Sequence, residues 1–135
     1  MATSSITYNG QLRTSAVHEL SGNTIITDAP PDNNGRGEAF SPTDLLATSL
    51  GSCMLTIMGI LANRINVNID GTMVSIQKVM ASDPRRVSEV HVTFGMPARP
   101  YTDKEKQMLM NAAHTCPVAL SLHPDLKQVI TFNWN

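Results

Sequence analysis

The chain has 135 residues, 41% of them hydrophobic, so a single domain spanning 1–135 is long enough to bury a sizeable core without disulfide or metal staples. Ten Lys and Arg against eleven Asp and Glu, with a pI near 6.4, leave no basic excess to hold phosphates and no acidic tail for basic partners, so nucleic acid is not an expected ligand. Aromatic residues are only 4% while Met numbers eight, which predicts an aliphatic, thioether-rich core able to pack around irregular or apolar ligands.

The N-terminal residues, Met1 to Tyr8, lack the basic and apolar regions of a secretory signal, and export is not expected. From Ser5 to Asp28 the alternation of Ile6 and Tyr8 with polar neighbours, the Leu12–Leu20 run and the Asn23–Thr27 run predict an antiparallel meander, with Ser21-Gly22 as a turn. Ala29 to Gly37 contains Pro30-Pro31-Asp32-Asn33-Asn34-Gly35 and reads as a loop. Ser41-Pro42-Thr43-Asp44 opens a helix, with Ser41 as cap, proline at the first helical position and Asp44 as the capping-box carboxylate. In that helix Leu46, Leu50, Cys53, Ile57 and Leu61 share one face while Leu45, Met54, Leu55 and Met58 occupy others, which predicts a buried, central helix. Its small residues Ala47, Ser49, Gly51 and Ser52 allow close approach of another segment just before Cys53. The longest apolar stretch, Leu50 to Ala62, is interrupted by polar and glycine residues and is shorter than the roughly 20 residues a bilayer demands, so a soluble protein of the reducing cytoplasm is expected, with no membrane partner.

Val67–Ile69 and Met73–Met80 read as strands, Asp83-Pro84-Arg85-Arg86 as a turn and Val90–Phe94 as an antiparallel partner. Thr102-Asp103-Lys104-Glu105 is a capping box for a helix running to about His114, and Pro117 restarts a short helix for which Cys116 is the N-cap. Val129–Trp134 alternates as a closing strand. The order β-β-β-α-β-β-α-α-β predicts an α+β fold without parallel βαβ winding.

The two cysteines, Cys53 and Cys116, are the only ones in the chain, and in a reducing compartment such a pair is more often redox-active than structural. At a helix start the unpaired N–H groups and the dipole favour a thiolate, so enhanced acidity is expected of Cys116; the plain alternative is a small buried core residue. Cys53 lies in the middle of an apolar helix, where a thiol is core filling unless a cation lies nearby, and Arg13 or the loop residue Arg36 could supply one. His18, His91, His114 and His123 show no zinc-like spacing with the cysteines, and ordinary hydrogen bonding or solvation is expected of them. No dinucleotide fingerprint, Walker loop or serine-hydrolase elbow is present, and Gly35-Arg36-Gly37 is only a loop signal.

The segment from Ser41 to Cys53, with Pro42 eleven residues before the cysteine, together with His114-Thr115-Cys116-Pro117-Val118, resembles the osmotically inducible protein C and organic hydroperoxide resistance (OsmC/Ohr) superfamily across nearly the whole chain. The resemblance implies an intertwined homodimer with the long helices at its centre. It also implies a cofactor-free, metal-free thiol peroxidase in which Cys53 attacks a hydroperoxide, Cys116 resolves the sulfenic acid as a disulfide, and an external dithiol resets the pair. Peroxidase branches of the superfamily carry glutamate directly after the helix-opening proline, paired with an arginine, whereas Thr43 stands here and the nearest carboxylate is Asp44. Asp44 and Cys53 are about 13 Å apart along one helix, so Asp44 is expected to contribute only across the dimer. The arginine is expected to be Arg13, with Arg36 the rival. A non-catalytic dimer that binds a small hydrophobic ligand is the alternative, and Thr43 is the feature that favours it.

Overall fold

The computed structural model describes residues 1–135, which form two compact units, Met1–Leu46 and Ala47–Asn135.

In the first unit, β1 (Ser4–Gly10), β2 (Arg13–His18) and β3 (Thr24–Asp28) form the expected antiparallel meander in the order β1-β2-β3. Gly10 pairs with Arg13 across a two-residue turn in which Gln11 and Leu12 both have positive φ, 56° and 63°. Such a turn matches the right-handed twist of the flanking strands. The loop after β3 contains a 3₁₀ turn at Pro31–Asn33. Its glycines are steric necessities: a Cβ on Gly35 would meet the Ala29 carbonyl oxygen at 1.8 Å, and Gly37 has φ +63° with Pro31 against it. The Gly-Arg-Gly signal is therefore explained by backbone packing.

The helix α1 (Pro42–Arg64) begins in the first unit with the predicted box. The Asp44 backbone N–H donates to Ser41 Oγ at 3.1 Å and the Ser41 N–H donates to Asp44 Oδ2 at 2.9 Å, satisfying two of the orphan donors of a helix start. It ends where Asn66 takes φ 57° and the Val67 N–H returns to the Ala62 carbonyl at 2.9 Å, a Schellman closure. At 23 residues α1 exceeds the interrupted run seen in sequence and is long and apolar enough, by composition, to cross a bilayer, a test that core helices also pass.

In the second unit α1 covers a sheet of order β4-β5-β6, formed by Met73–Ala81, Arg86–Gly95 and Lys127–Asn133. The buried stripe of the helix is Ala47, Leu50, Gly51, Met54, Met58 and Ala62, rather than the Leu46–Leu61 face expected; Cys53, Ile57 and Leu61 are half-buried, and Leu46 and Ile60 are exposed. A helix apolar round its circumference does not announce which face packs. The small residues decide it, since a Cβ on Gly51 would lie 2.7 Å from Ile76 Cδ1 and 3.3 Å from Val74 Cγ1 of β4. The stripe meets Val90, Val92 and Phe94 of β5, together with Met96, and with Leu109 and Ala113 of α2 (Asp103–Ala113).

Two expectations fail here. Val67–Ile69 is not a strand: the Asn68 carbonyl instead accepts from Arg99 Nη1 and Tyr101 Oη, both at 2.8 Å, because three residues without a neighbouring strand must find side-chain donors. The closing strand β6 runs parallel to β5, with Phe94 opposite Phe132 and their rings stacked at 4.5 Å. The intervening segment with α2 and α3 (Pro117–Ser121) carries the chain back to the same end of the sheet. Alternation reports which face a strand buries and not its direction, so the parallel crossover was invisible to it. Trp134 completes this edge between Phe132 and Tyr101, with Lys106 Nζ 5.6 Å from its ring centroid.

Candidate thiol site

Cys116 is the N-cap of α3, as its place before Pro117 predicts: its φ and ψ are extended, −70° and 143°, and its Sγ accepts the Ala119 N–H at 3.3 Å. The side chain is fully buried in the core. Burial pushes the Cys116 thiol above its ordinary pKa, and hydrogen bonding and charge from the neighbouring Cys53 push it the same way; the N–H groups of Ala119 and Val118 pull it down by less. The enhanced acidity expected of Cys116 is therefore overturned, because a single turn of helix offers fewer donors than the apolar core removes in solvation.

Cys53 is half-buried on α1, and both cysteines are free thiols. Cys53 packs against the buried core cluster that contains Cys116, 63 positions away in sequence and inside the same unit.

Arg13, on β2, is gripped by carboxylates: Nε donates to Asp28 Oδ1 at 2.7 Å, Nη2 to Asp28 Oδ2 at 2.8 Å, and Nη2 also to Glu38 Oε1 at 3.0 Å. The Arg13 guanidinium holds the Asp28 carboxyl below the usual carboxylate range, and Arg13 itself is raised by the same pair. Arg36 is exposed and donates to the Gln11 side-chain oxygen. Asp44 serves the α1 cap through Oδ2. Asp28 and Glu38 were not singled out from sequence. Only the β2–β3 register, which sets Arg13 opposite Asp28, reveals the pair.

The histidines take the ordinary roles expected: His91 Nε2 pairs with Glu89 at 3.0 Å, His18 Nδ1 with Ser21 Oγ at 2.6 Å, His123 Nδ1 accepts the Asp125 N–H at 3.0 Å, and His114 caps the end of α2. No group of three or more His, Cys, Asp or Glu side chains is placed to hold a metal ion. Beside α1 an apolar cleft of about 420 Å³ is lined by Gly51, Leu55, Val74 and Ile76 with Thr48, Ser52 and Thr56.

Residues 35–130 match the model of the OsmC-like protein family. Among solved structures, a Psychrobacter arcticus 273-4 protein described as an osmotic stress induced and detoxification response protein is 57% identical, with 98% of this chain and 96% of that chain covered and a TM-score of 0.95. An organic hydroperoxide resistance protein OsmC from Legionella pneumophila shares the fold at 15% identity, 98% coverage of both chains and a TM-score of 0.75. So does an organic hydroperoxide resistance protein from Elizabethkingia anophelis, at 18% identity, coverage of 100% and 98%, and a TM-score of 0.71. None of the curated proteins compared matches the chain. With the family match spanning most of the sequence and the fold agreeing end to end, this chain belongs to the OsmC-like protein family.

Proposed function

We propose that the protein is a stress-response thiol peroxidase that reduces organic hydroperoxides in the reducing cytoplasm through Cys53 and Cys116. The observation that carries this reading is the packing of Cys53 against the buried core cluster that holds Cys116, within the second unit. The Cys53 thiolate attacks the terminal peroxide oxygen of ROOH; the O–O bond breaks, the alkoxide takes a proton and leaves as ROH, and Cys53 becomes a sulfenic acid. The Cys116 sulfur then attacks that sulfur, expelling water and forming the disulfide. An external dithiol reduces it by exchange, and is itself left as a disulfide. Arg13 is the favoured cation for the thiolate and departing alkoxide, because it is held in a fixed plane while Arg36 is exposed on a loop. The apolar surroundings suit alkyl peroxides. Consumption of cumene hydroperoxide with dithiothreitol as reductant tests it: Cys53→Ser is expected to abolish turnover, and equal rates for variant and wild type would end the reading.

The working form is proposed to be a homodimer. Supporting it, the first unit buries only Thr27, Asp28 and Ser41 while leaving Ile6, Tyr8, Ile25 and Ile26 exposed, and α1 leaves Leu46 and Ile60 exposed. In that dimer Asp44 is proposed to act from the partner copy. The cleft beside α1 favours a second reading, a non-catalytic binder of a small apolar ligand. In that case Cys53→Ala leaves ligand affinity unchanged and the wild type consumes no peroxide.

A further inference from the structure

Near the turn of the β4–β5 hairpin the ladder slips by one residue: Val79 pairs with Glu89 and Met80 with Val87, so Ser88 is the extra residue of a β-bulge. Bulges re-aim side chains, and for that reason they recur beside binding sites. Ser88 Oγ donates to the Val79 carbonyl at 3.0 Å, which fixes the irregularity in place. The bulged strand lines a cavity of about 420 Å³ whose other lining comes from the segment between α3 and β6, and both belong to the second unit. Pro84, Val87 and Leu126 make its apolar part. Arg86 brings a permanent positive charge to the same cavity. Its Nη1 donates to the Ser82 carbonyl at 3.1 Å and the Pro84 carbonyl at 2.9 Å, so the guanidinium is held while it pairs with no carboxylate. Neither bond uses Nε or Nη2, the two atoms whose shared edge matches a carboxylate with parallel N–H···O bonds. His123 Nδ1 accepts the Asp125 N–H at 3.0 Å, which puts the proton of the neutral ring on Nε2 as a further donor. Asp125 also lines the cavity, but its side chain is 92% exposed, so water screens its charge.

We infer that this cavity is a binding site for a small organic carboxylate: the Nε–Nη2 edge of Arg86 takes its two oxygens, His123 Nε2 donates to one of them, and Pro84, Val87 and Leu126 hold its apolar body. The volume lies toward the small end of ligand pockets, which suits a body the size of one ring rather than a long chain. None of these residues takes part in the thiol chemistry proposed above, so the site stands or falls by itself.

The test is a titration of the full-length, nitrogen-15-labelled protein with sodium benzoate, followed through its amide chemical shifts, with benzamide as the neutral isostere. Benzoate is expected to move the amides of Arg86, Val87, Ser88 and Leu126 saturably, with a Kd of about 1 mM. Benzamide should bind about tenfold more weakly, because it offers the guanidinium no charge to pair with. Arg86→Gln removes the charge and the fork together and is expected to weaken benzoate by about tenfold; Arg86→Lys keeps the charge alone and should weaken it by about threefold. Equal affinities for benzoate and benzamide would make the cavity a plain apolar trap and overturn the inference. Wild-type affinity in Arg86→Gln overturns it as well. Should Arg86→Gln disturb the hairpin, visible in its spectrum before any ligand is added, His123→Ala decides: a loss of about threefold is expected, and unchanged affinity overturns the inference. If benzoate up to about 10 mM moves none of the four amides, Arg86 is a solvated turn residue and there is no such site.

Discussion

At Cys116 two local forces oppose each other, and their balance sets what the residue can do. The N-cap position supplies N–H donors from Ala119 and Val118, yet full burial and the adjacent Cys53 hold the thiol protonated beyond its normal range. In the proposed cycle Cys116 tolerates this, because its task there is to attack a sulfenic acid already formed on Cys53. We expect alkylation of Cys116 in native protein to stay slow across the pH range in which an ordinary exposed thiol reacts; fast modification at pH 7 would contradict the burial argument. The linkage sign follows. The neutral thiol's contribution to stability is fully present below the unfolded pKa and is lost as pH rises through the higher folded one. Under peroxide without reductant, Cys116→Ser is expected to accumulate sulfenic acid on Cys53, measurable by dimedone trapping. Asp28 behaves in the opposite sense: its depressed pKa gives stability that is present above about pH 4 and lost as pH falls through the folded value. In sequence the cysteines were legible, through their helix contexts and the spacing from Pro42. The Arg13–Asp28–Glu38 cluster was not, because a hairpin offset of a single residue would turn Asp28 away from Arg13.

Elements whose ends carry their own chemistry were readable in advance. Ser41 with Asp44 and Thr102 with Glu105 form reciprocal caps that need no tertiary context, and both hold in the structure. Direction and packing face depend on partners far away in sequence, which is why parallel β6 and the true stripe of α1 escaped. Gly51 makes the second point measurable. Alanine there gains about 1 kcal/mol of helix propensity but presses on the flexible tip of Ile76, so Gly51→Ala should be near neutral in urea denaturation. Gly51→Leu must displace Ile76 and Val74 together and is expected to cost about 1–3 kcal/mol by the same measurement. The β1–β2 turn offers a gain instead. Gln11 and Leu12 occupy left-handed backbone that favours asparagine and glycine, so the double change Gln11→Asn, Leu12→Gly is expected to stabilise by about 1 kcal/mol. No gain in the denaturation midpoint would mean that the flanking strands impose no strain on the turn.

For the molecule as a whole, the question is what covers the first unit. A three-stranded sheet needs a covered apolar face to be stable, and the register of this one lines up Ile6, Ala16 and Ile25 across all three strands. Ile6 is 67% exposed and Ile25 51%, so within a single copy the row has not been withdrawn from water. A second copy is the occupant proposed above. Burying the exposed part of each isoleucine is worth about 1 kcal/mol, and a two-fold interface counts each residue twice, so Ile6→Lys with Ile25→Lys should weaken association by about 4 kcal/mol, roughly a thousandfold in Kd. Sedimentation equilibrium of the wild type at micromolar concentration is expected to give twice the 14.6 kDa chain mass, and the double variant the chain mass itself. Thermal stability of the wild type should also rise with protein concentration, since association favours the folded state by mass action. A wild type that sediments as a single chain at every concentration would leave the sheet without its cover, and the homodimer would have to be abandoned.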